Sequence, residues 1–210
     1  MRKAAFLIVG FLIVGIAVYF WSGAYNVAAV EPHWGVFSFF LEEIRDRSII
    51  THSRGIKPPS IEDQKLVETG FPHFHEMCRL CHGAPGYPLT EFAQGLYPAP
   101  PSLASQSTQQ KWNNAQLFWI VQNGIKMTGM PAFGPTHEED ELWGVVAFLR
   151  RLPEMNQEDY DLWVRKTGPH DEHEHMDKHV SMNIPMSMAE NSERFRSRLT
   201  CDGFVDRQSR

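Results

Sequence analysis

Cys78-Arg79-Leu80-Cys81-His82 is the stretch on which the reading of this chain turns. Two thiols stand three residues apart, and an imidazole follows the second directly. C-x-x-C-H is the attachment signature of a c-type heme. The thiols add to the two vinyl groups of the porphyrin as thioethers, and the imidazole is carried under the iron as its proximal ligand. A structural zinc site would want a second Cys/His pair at ligand spacing, and Cys201 alone does not supply one. A thioredoxin-like dithiol would want a strand before it, whereas here a helical pattern runs from Ile61 to about Arg79. Within it, Gly70, Phe74 and Cys78 recur at intervals of four and share one face.

On the C-terminal side of the motif, residues 83–102 have loop composition, with Pro85, Pro88, Pro98, Pro100 and Pro101. Asn114 to Gln122 reads as a short helix, closed by Asn123-Gly124. The following loop, residues 123–134, offers two methionines, Met127 and Met130, as the sixth ligand of an iron. A last clear helix is expected to start from a capping box of Thr136 and Glu139. Its apolar stripe is Leu142, Val145, Val146 and Leu149, and Pro153 ends it. No internal repeat is visible and no strand is expected.

From Ile61 to Leu152 this arrangement resembles the class I cytochrome c family, in its small bacterial monoheme branch. The likeness rests on a helix ending in Cys78-x-x-Cys81-His82-Gly83, a Pro-containing loop, a short helix, Gly129-Met130-Pro131-Ala132-Phe133, and a terminal aromatic-bearing helix. The resemblance implies an all-α fold of three to four helices around one covalent heme c. It implies Met130 as the distal axial ligand, with Met127 left to the loop. It further implies that Gly70 and Phe74 mark the crossing of the first helix with the last, Trp143 or Phe148 filling the partner side. His82 should donate its second ring N–H to a backbone carbonyl, which the family takes from a Pro-rich segment, here Pro100 or Pro101. Trp119, and Trp112 with it, is expected near the heme edge or simply in the core. His73 and His75 are expected on the surface of the first helix, as potential replacements for Met130 in an altered state.

Ahead of this domain, Arg2 and Lys3 precede an uncharged stretch from Ala4 to Val30. Its densest part, Ala4 to Trp21, is long enough as a helix to span a hydrocarbon layer of roughly 30 Å. The basic pair favours a cytoplasmic N-terminus. A cleaved signal peptide ending near Ser22-Gly23-Ala24 is the rival, but the apolar run exceeds an ordinary signal core, and Trp21 and Tyr25 suit a membrane interface. The expected organisation is therefore an anchor over residues 1–24, a linker over 25–60, a cytochrome domain over 61–153 and a polar tail over 154–210. The protein is expected in the inner membrane as a single-pass chain with its heme domain on the periplasmic side, swinging on its linker between a donor and an acceptor.

The tail is compositionally distinct. Eight of the residues from Pro153 to Arg210 are Leu, Ile, Val or Phe, too few to build a core, so it is expected to be mostly irregular apart from a short helix near Glu158 to Lys166. His170, His173, His175 and His179 alternate with acidic residues, and Met182, Met186 and Met188 follow. Imidazoles suit Cu(II) and thioethers Cu(I), so copper binding in the service of a copper-dependent enzyme is one expectation; a solvated tail is the other. Cys201 is the thiol left over once heme consumes two.

A net charge of −5 gives no reason to expect nucleic acid as a partner. No paired carboxylates, Ser-His-Asp set or phosphate loop points to an enzyme. His/Met ligation closes both axial positions and raises the potential. The expected function is accordingly membrane-tethered, one-electron transfer between redox proteins of a respiratory chain. The alternatives are a heme-based sensor or peroxidase in which Met130 is displaced, and copper binding through the tail.

Overall fold

Eight consecutive residues of one helix, Leu142 to Leu149, are buried, and the rest of the cytochrome region is arranged around them. The structure, a computed structural model, describes residues 2–167. Along the chain it places α1 (Arg2–Trp21), α2 (Gly35–His52), α3 (Gln64–His73), a π-helical turn (Phe74–Cys78) and α4 (Arg79–His82). Then follow α5 (Glu91–Gln94), α6 (Gln106–Lys111), α7 (Asn114–Asn123), α8 (Glu139–Arg151), a 3-10 turn (Leu152–Glu154) and α9 (Gln157–Thr167). The fold is all-α, with no strand among the described residues.

Each helix boundary has a local cause. Asp63 caps α3 by accepting from the Lys65 N–H at 3.0 Å. Pro72 lies inside α3 and has no N–H to give; the helix continues through it but widens into the π-turn just beyond. Asn113 and Gln116 form a reciprocal capping box on α7. Gly124, at φ 64°, takes the left-handed conformation that stops that helix. The box expected from Thr136 and Glu139 does not form. Thr136 is spent in a turn on the Phe133 carbonyl, and α8 begins at Glu139, with the Glu138 N–H donating to Glu141 at 2.8 Å.

α3 and α8 cross at Gly70. A Cβ there would overlap the Gly144 carbonyl and come within 2.7 Å of the Val145 nitrogen. At Gly70 itself the partner is another glycine, while Phe148, one of the two rings expected on the partner side, packs on Phe74 at the same crossing. The rings pack on either side: Phe148 lies edge-on to Phe71 at 5.2 Å and tilted against Phe74 at 5.1 Å. Trp143 points to α7, stacked on Phe118 at 4.1 Å.

α9 completes the core. It lies where a short helix was expected, but it belongs to the domain, not to a separate tail. Tyr160 is buried, and Trp163 packs on Phe71 and Phe148 at 5.4 and 5.8 Å. That extra layer explains why α8 is buried beyond the stripe of Leu142, Val145, Val146 and Leu149.

The stretch expected to be a linker holds an 18-residue helix, α2. It is docked on the α6–α7 region: Ile49 is buried, Asp46 pairs with Lys111 at 2.7 Å, and the His52 ring stacks on Trp119 at 5.8 Å. Burial alone would raise the Asp46 pKa, but hydrogen bonds from Arg45 and Lys111 outweigh it and hold the carboxyl below its ordinary value. A linker free to swing over its whole length is not what these contacts describe. α1 is the one described helix long and apolar enough to cross a membrane. His170, His173, His175, His179, the tail methionines and Cys201 lie outside the described residues.

Candidate heme site

The site is assembled from the end of the α3–α4 run, the proline loop and the α7–α8 connection. Cys78 ends the π-turn and is buried; Cys81 and His82 fall in α4, partly buried. Gly83, at φ 74°, ends the helix directly after His82. The Leu80 carbonyl, orphaned by that ending, accepts from the Thr90 hydroxyl at 2.6 Å. The same hydroxyl caps α5 by accepting from the Ala93 N–H at 3.1 Å, so one side chain ties the motif to the loop that follows.

Cys78 and Cys81 form no disulfide with each other. Burial, with Cys81 adding to it, pushes the Cys78 thiol up to about 12, and burial also raises Cys81. A redox-active dithiol needs the opposite, a depressed pKa. Among the described residues no three His, Cys, Asp or Glu side chains cluster as metal ligands. The donor set suits heme c better: two thiols three residues apart and an adjoining imidazole.

That imidazole is already oriented. Nδ1 of His82 lies 2.8 Å from the Pro101 carbonyl, to which it donates in the tautomer that leaves Nε2 as a lone-pair donor. Burial lowers the His82 pKa and the bond to Pro101 partly restores it. Of the two prolines expected to supply this carbonyl, Pro101 is the one that does; Pro100 is half-buried beside it.

The Pro101 loop is itself clamped. Arg150, at the end of α8, donates through Nη1 to the Gln109 carbonyl and side-chain oxygen, both at 2.7 Å. Its Nη2 donates to the Trp112 carbonyl at 2.6 Å and its Nε to Asn114 Oδ1 at 2.8 Å. Gln109 in turn donates to the carbonyls of Leu103 and Leu149 at 2.6 and 2.9 Å. One guanidinium thus joins α8 to Gln109, Trp112 and Asn114, and through Gln109 to Leu103, two residues after Pro101.

The two methionines of the α7–α8 connection differ sharply. Met127 is 84% exposed and occupies the left-handed region at φ 62°. Met130 is half-buried, its N–H on the Thr128 hydroxyl at 3.1 Å and its carbonyl accepting from Ile125 at 3.1 Å. Phe133 and Gly134 donate back to the carbonyls of Val121 and Gln122. A Cβ on Gly124 would meet Pro131 C at 2.6 Å and the Met130 carbonyl at 2.8 Å. The loop is held to α7 on both sides of Met130.

The other residues singled out in the sequence have these partners. Trp119, expected near the heme edge or in the core, stacks on His52 of α2, and Trp112 packs against the core with Lys111 over its ring at 4.9 Å. His73 and His75 are not the surface residues expected. His75 Nδ1 meets the Tyr160 hydroxyl at 2.7 Å, and His73 packs on His137 at 5.3 Å. The Arg150 clamp, Gly144, Thr90 and Tyr160 were not foreseen; each belongs to an ordinary residue type whose role comes from a distant partner.

Residues 65–149 match the family described as cytochrome c oxidase, cbb3-type, subunit III. The chain carries a class I c-type cytochrome domain. The matched span takes in the two cysteines, His82, Pro101, Met130 and nearly all of α8. No curated protein matches the chain. A cytochrome c domain implies heme c as cofactor, redox proteins as partners and electron transfer as its chemistry.

Proposed function

We propose that this protein is a membrane-tethered monoheme cytochrome, carrying single electrons between respiratory-chain partners outside the cytoplasm. Cys78 and Cys81 would hold the heme as thioethers, His82 would supply the proximal nitrogen, and Met130 the distal sulfur. When bound, the heme supplies reversible one-electron chemistry.

The chain's own residues prepare that chemistry in three ways. The Pro101 carbonyl fixes the tautomer and direction of His82. The hydrogen bonds around Met130 hold its loop in one conformation, so that little has to reorganise when the charge changes. The α3–α8–α9 core packs Phe71, Phe74 and Phe148 behind the attachment helix, which keeps water from that side. The observation that carries the reading is a His82 whose Nδ1 is already engaged by the Pro101 carbonyl directly after the two cysteines, and Met130, with its backbone pinned at both N–H and C=O, is the thioether that would go with it. With both His82 and Met130 as its ligands, the heme would be left to exchange electrons and not to bind a substrate.

α1 and its basic N-terminal pair support the membrane placement, and tethering raises the effective concentration of the domain beside membrane-bound partners. The family description of the matching span names an oxidase subunit, which favours a terminal oxidase among the acceptors.

The test is a pair of variants. Met130→Leu is expected to abolish the far-red charge-transfer band of an iron–thioether bond in the oxidised protein, and to open the reduced protein to carbon monoxide. Met127→Leu is expected to leave both unchanged. The reverse pattern would move the ligand to Met127, and no such band in the parent protein would remove the His/Met reading.

A further inference from the structure

The docked helix α2 has two unlike halves. From Asp46 onward it is joined to the cytochrome domain, through Ile49, the Asp46–Lys111 pair and the His52–Trp119 stack. Its beginning is bare. Trp34, Val36, Phe37, Phe39, Phe40 and Ile44 are between 49% and 73% exposed. At 100° per residue, the exposed apolar positions from 36 to 44 span about 160° of the helix circumference, a broad one-sided face. They form a broad apolar face, the shape of a helix that lies along a lipid interface with its apolar side down. No Asp, Glu, Lys or Arg occurs from Pro32 to Leu41, and the charges begin abruptly at Glu42.

This end lies next to the last turn of α1. A run of ring contacts leads from one to the other: Phe20 to Tyr25 at 6.4 Å, Tyr25 to His33 at 6.4 Å, and His33 to Phe37 at 5.5 Å. Hydrogen bonds brace the same path. Tyr25 Oη meets His33 Nδ1 at 2.7 Å, and the His33 N–H donates to Tyr97 Oη at 2.7 Å. Tyr97 belongs to the loop that ends in Pro101, the residue that orients His82. The bare end of α2, the exit of α1 and the proximal loop are thus one connected piece.

We propose that the first two turns of α2 insert into the lipid interface of the outer leaflet, and that α2 thereby holds the cytochrome domain in one orientation against the bilayer. The occupant of this apolar end is lipid. Trp and Phe at the mouth of a membrane span, followed at once by charged residues, are what the boundary between acyl chains and headgroups accommodates. Because the other half of α2 is bolted to α6 and α7, seating its apolar end fixes which side of the cytochrome faces the membrane. The tether is then an orienting shoulder. The proposal rests on α1 crossing the bilayer.

Full-length holoprotein with Cys201→Ser, reconstituted in vesicles of phosphatidylcholine and phosphatidylglycerol, provides the test. Nitroxide labels are placed singly at Phe39→Cys, Phe40→Cys, Arg54→Cys and, within α1, Val14→Cys, and their depth is read from relative accessibility to oxygen and an aqueous nickel chelate. Labels at 39 and 40 are expected about 5–10 Å below the phosphates, with 54 in water and 14 deep in the hydrocarbon. A deep label at 14 with 39 and 40 in water overturns the lipid proposal and leaves the anchor standing. Labels at 39 and 40 immobilised and shielded from both reagents overturn it in favour of a protein partner. A label at 14 in water removes the anchor and the proposal together.

Discussion

Replacing Gly70 by alanine tests the helix crossing on which the attachment motif is mounted. The new methyl would overlap the Gly144 carbonyl and lie 2.7 Å from the Val145 nitrogen, where ordinary contact begins near 3.4 Å. Both neighbours are backbone inside α8, so no side chain can swing aside, and α3 and α8 have to separate. Separation loosens Phe71 and Phe74 against Phe148, and a gap of 0.5–1 Å forfeits roughly a quarter to a half of each contact's attraction. Overpacking of this kind costs about 3 kcal/mol, at the upper end of the usual range. Alanine's better helix propensity returns about 1 kcal/mol, leaving a net loss of about 2 kcal/mol. Gly144→Ala is the internal control. Its methyl would meet Gly70 N, Leu66 O and Gly70 Cα at 3.0–3.2 Å, an adjustment of a few tenths of an ångström that the same propensity gain of about 1 kcal/mol offsets. Urea unfolding of the two holoproteins, followed by heme absorbance, is the assay. With a slope of about 1–3 kcal/mol per molar, Gly70→Ala should lower the midpoint by roughly 1 M and Gly144→Ala by much less. Equal midpoints, or a larger loss at Gly144, would refute the asymmetric crossing.

Three further outcomes are expected. Arg150→Leu strands the Gln109 and Trp112 carbonyls and releases the segment behind Pro101, so it should cost about 2–3 kcal/mol in urea unfolding and also shift the reduction potential, which a merely structural residue would not move. Gly124→Ala meets both a left-handed φ of 64° and the Pro131 backbone at 2.6 Å; it should weaken the iron–thioether band at temperatures where the helical circular dichroism is still intact. Burial, with the Arg79 charge adding, holds His75 below its ordinary 6.5. The unfolded chain therefore takes up that proton first as pH falls, so stability is full above about 6.5 and declines below it until the folded-state value is passed. His75→Gln should flatten that part of the stability–pH profile.

What could be read from the sequence was what is local. Cys78, Cys81 and His82 are contiguous, the helix before them repeats every four residues, and Gly124 follows its helix directly, so those features were legible. Gly70 was recognisable as a close approach, yet its partner was not, because Gly144 sits seventy-four residues away and carries no side chain to read. The Thr136–Glu139 box has the right spacing, but spacing does not register that the Phe133 turn claims Thr136 first. Of α2, the aromatic-rich amphipathic run from Trp34 to Ile44 is legible, but its docking is not, because Asp46 and His52 find their partners at Lys111 and Trp119, far along the chain. Arg150 is one of several arginines in the chain, and only the fold brings Gln109, Trp112 and Asn114 around it. His75 and α9 share that cause, since Tyr160 reaches back eighty-five residues to a histidine that looks solvent-facing.

The central claim is that one heme, held between His82 and Met130, passes one electron at a time. Optical redox titration of the purified holoprotein, with heme counted per chain, tests it most directly. One heme per chain, a single reversible wave of one electron, and a potential that falls when Met130 is replaced by histidine are the expected results. Two waves, a second heme, or a potential indifferent to Met130 would contradict the account.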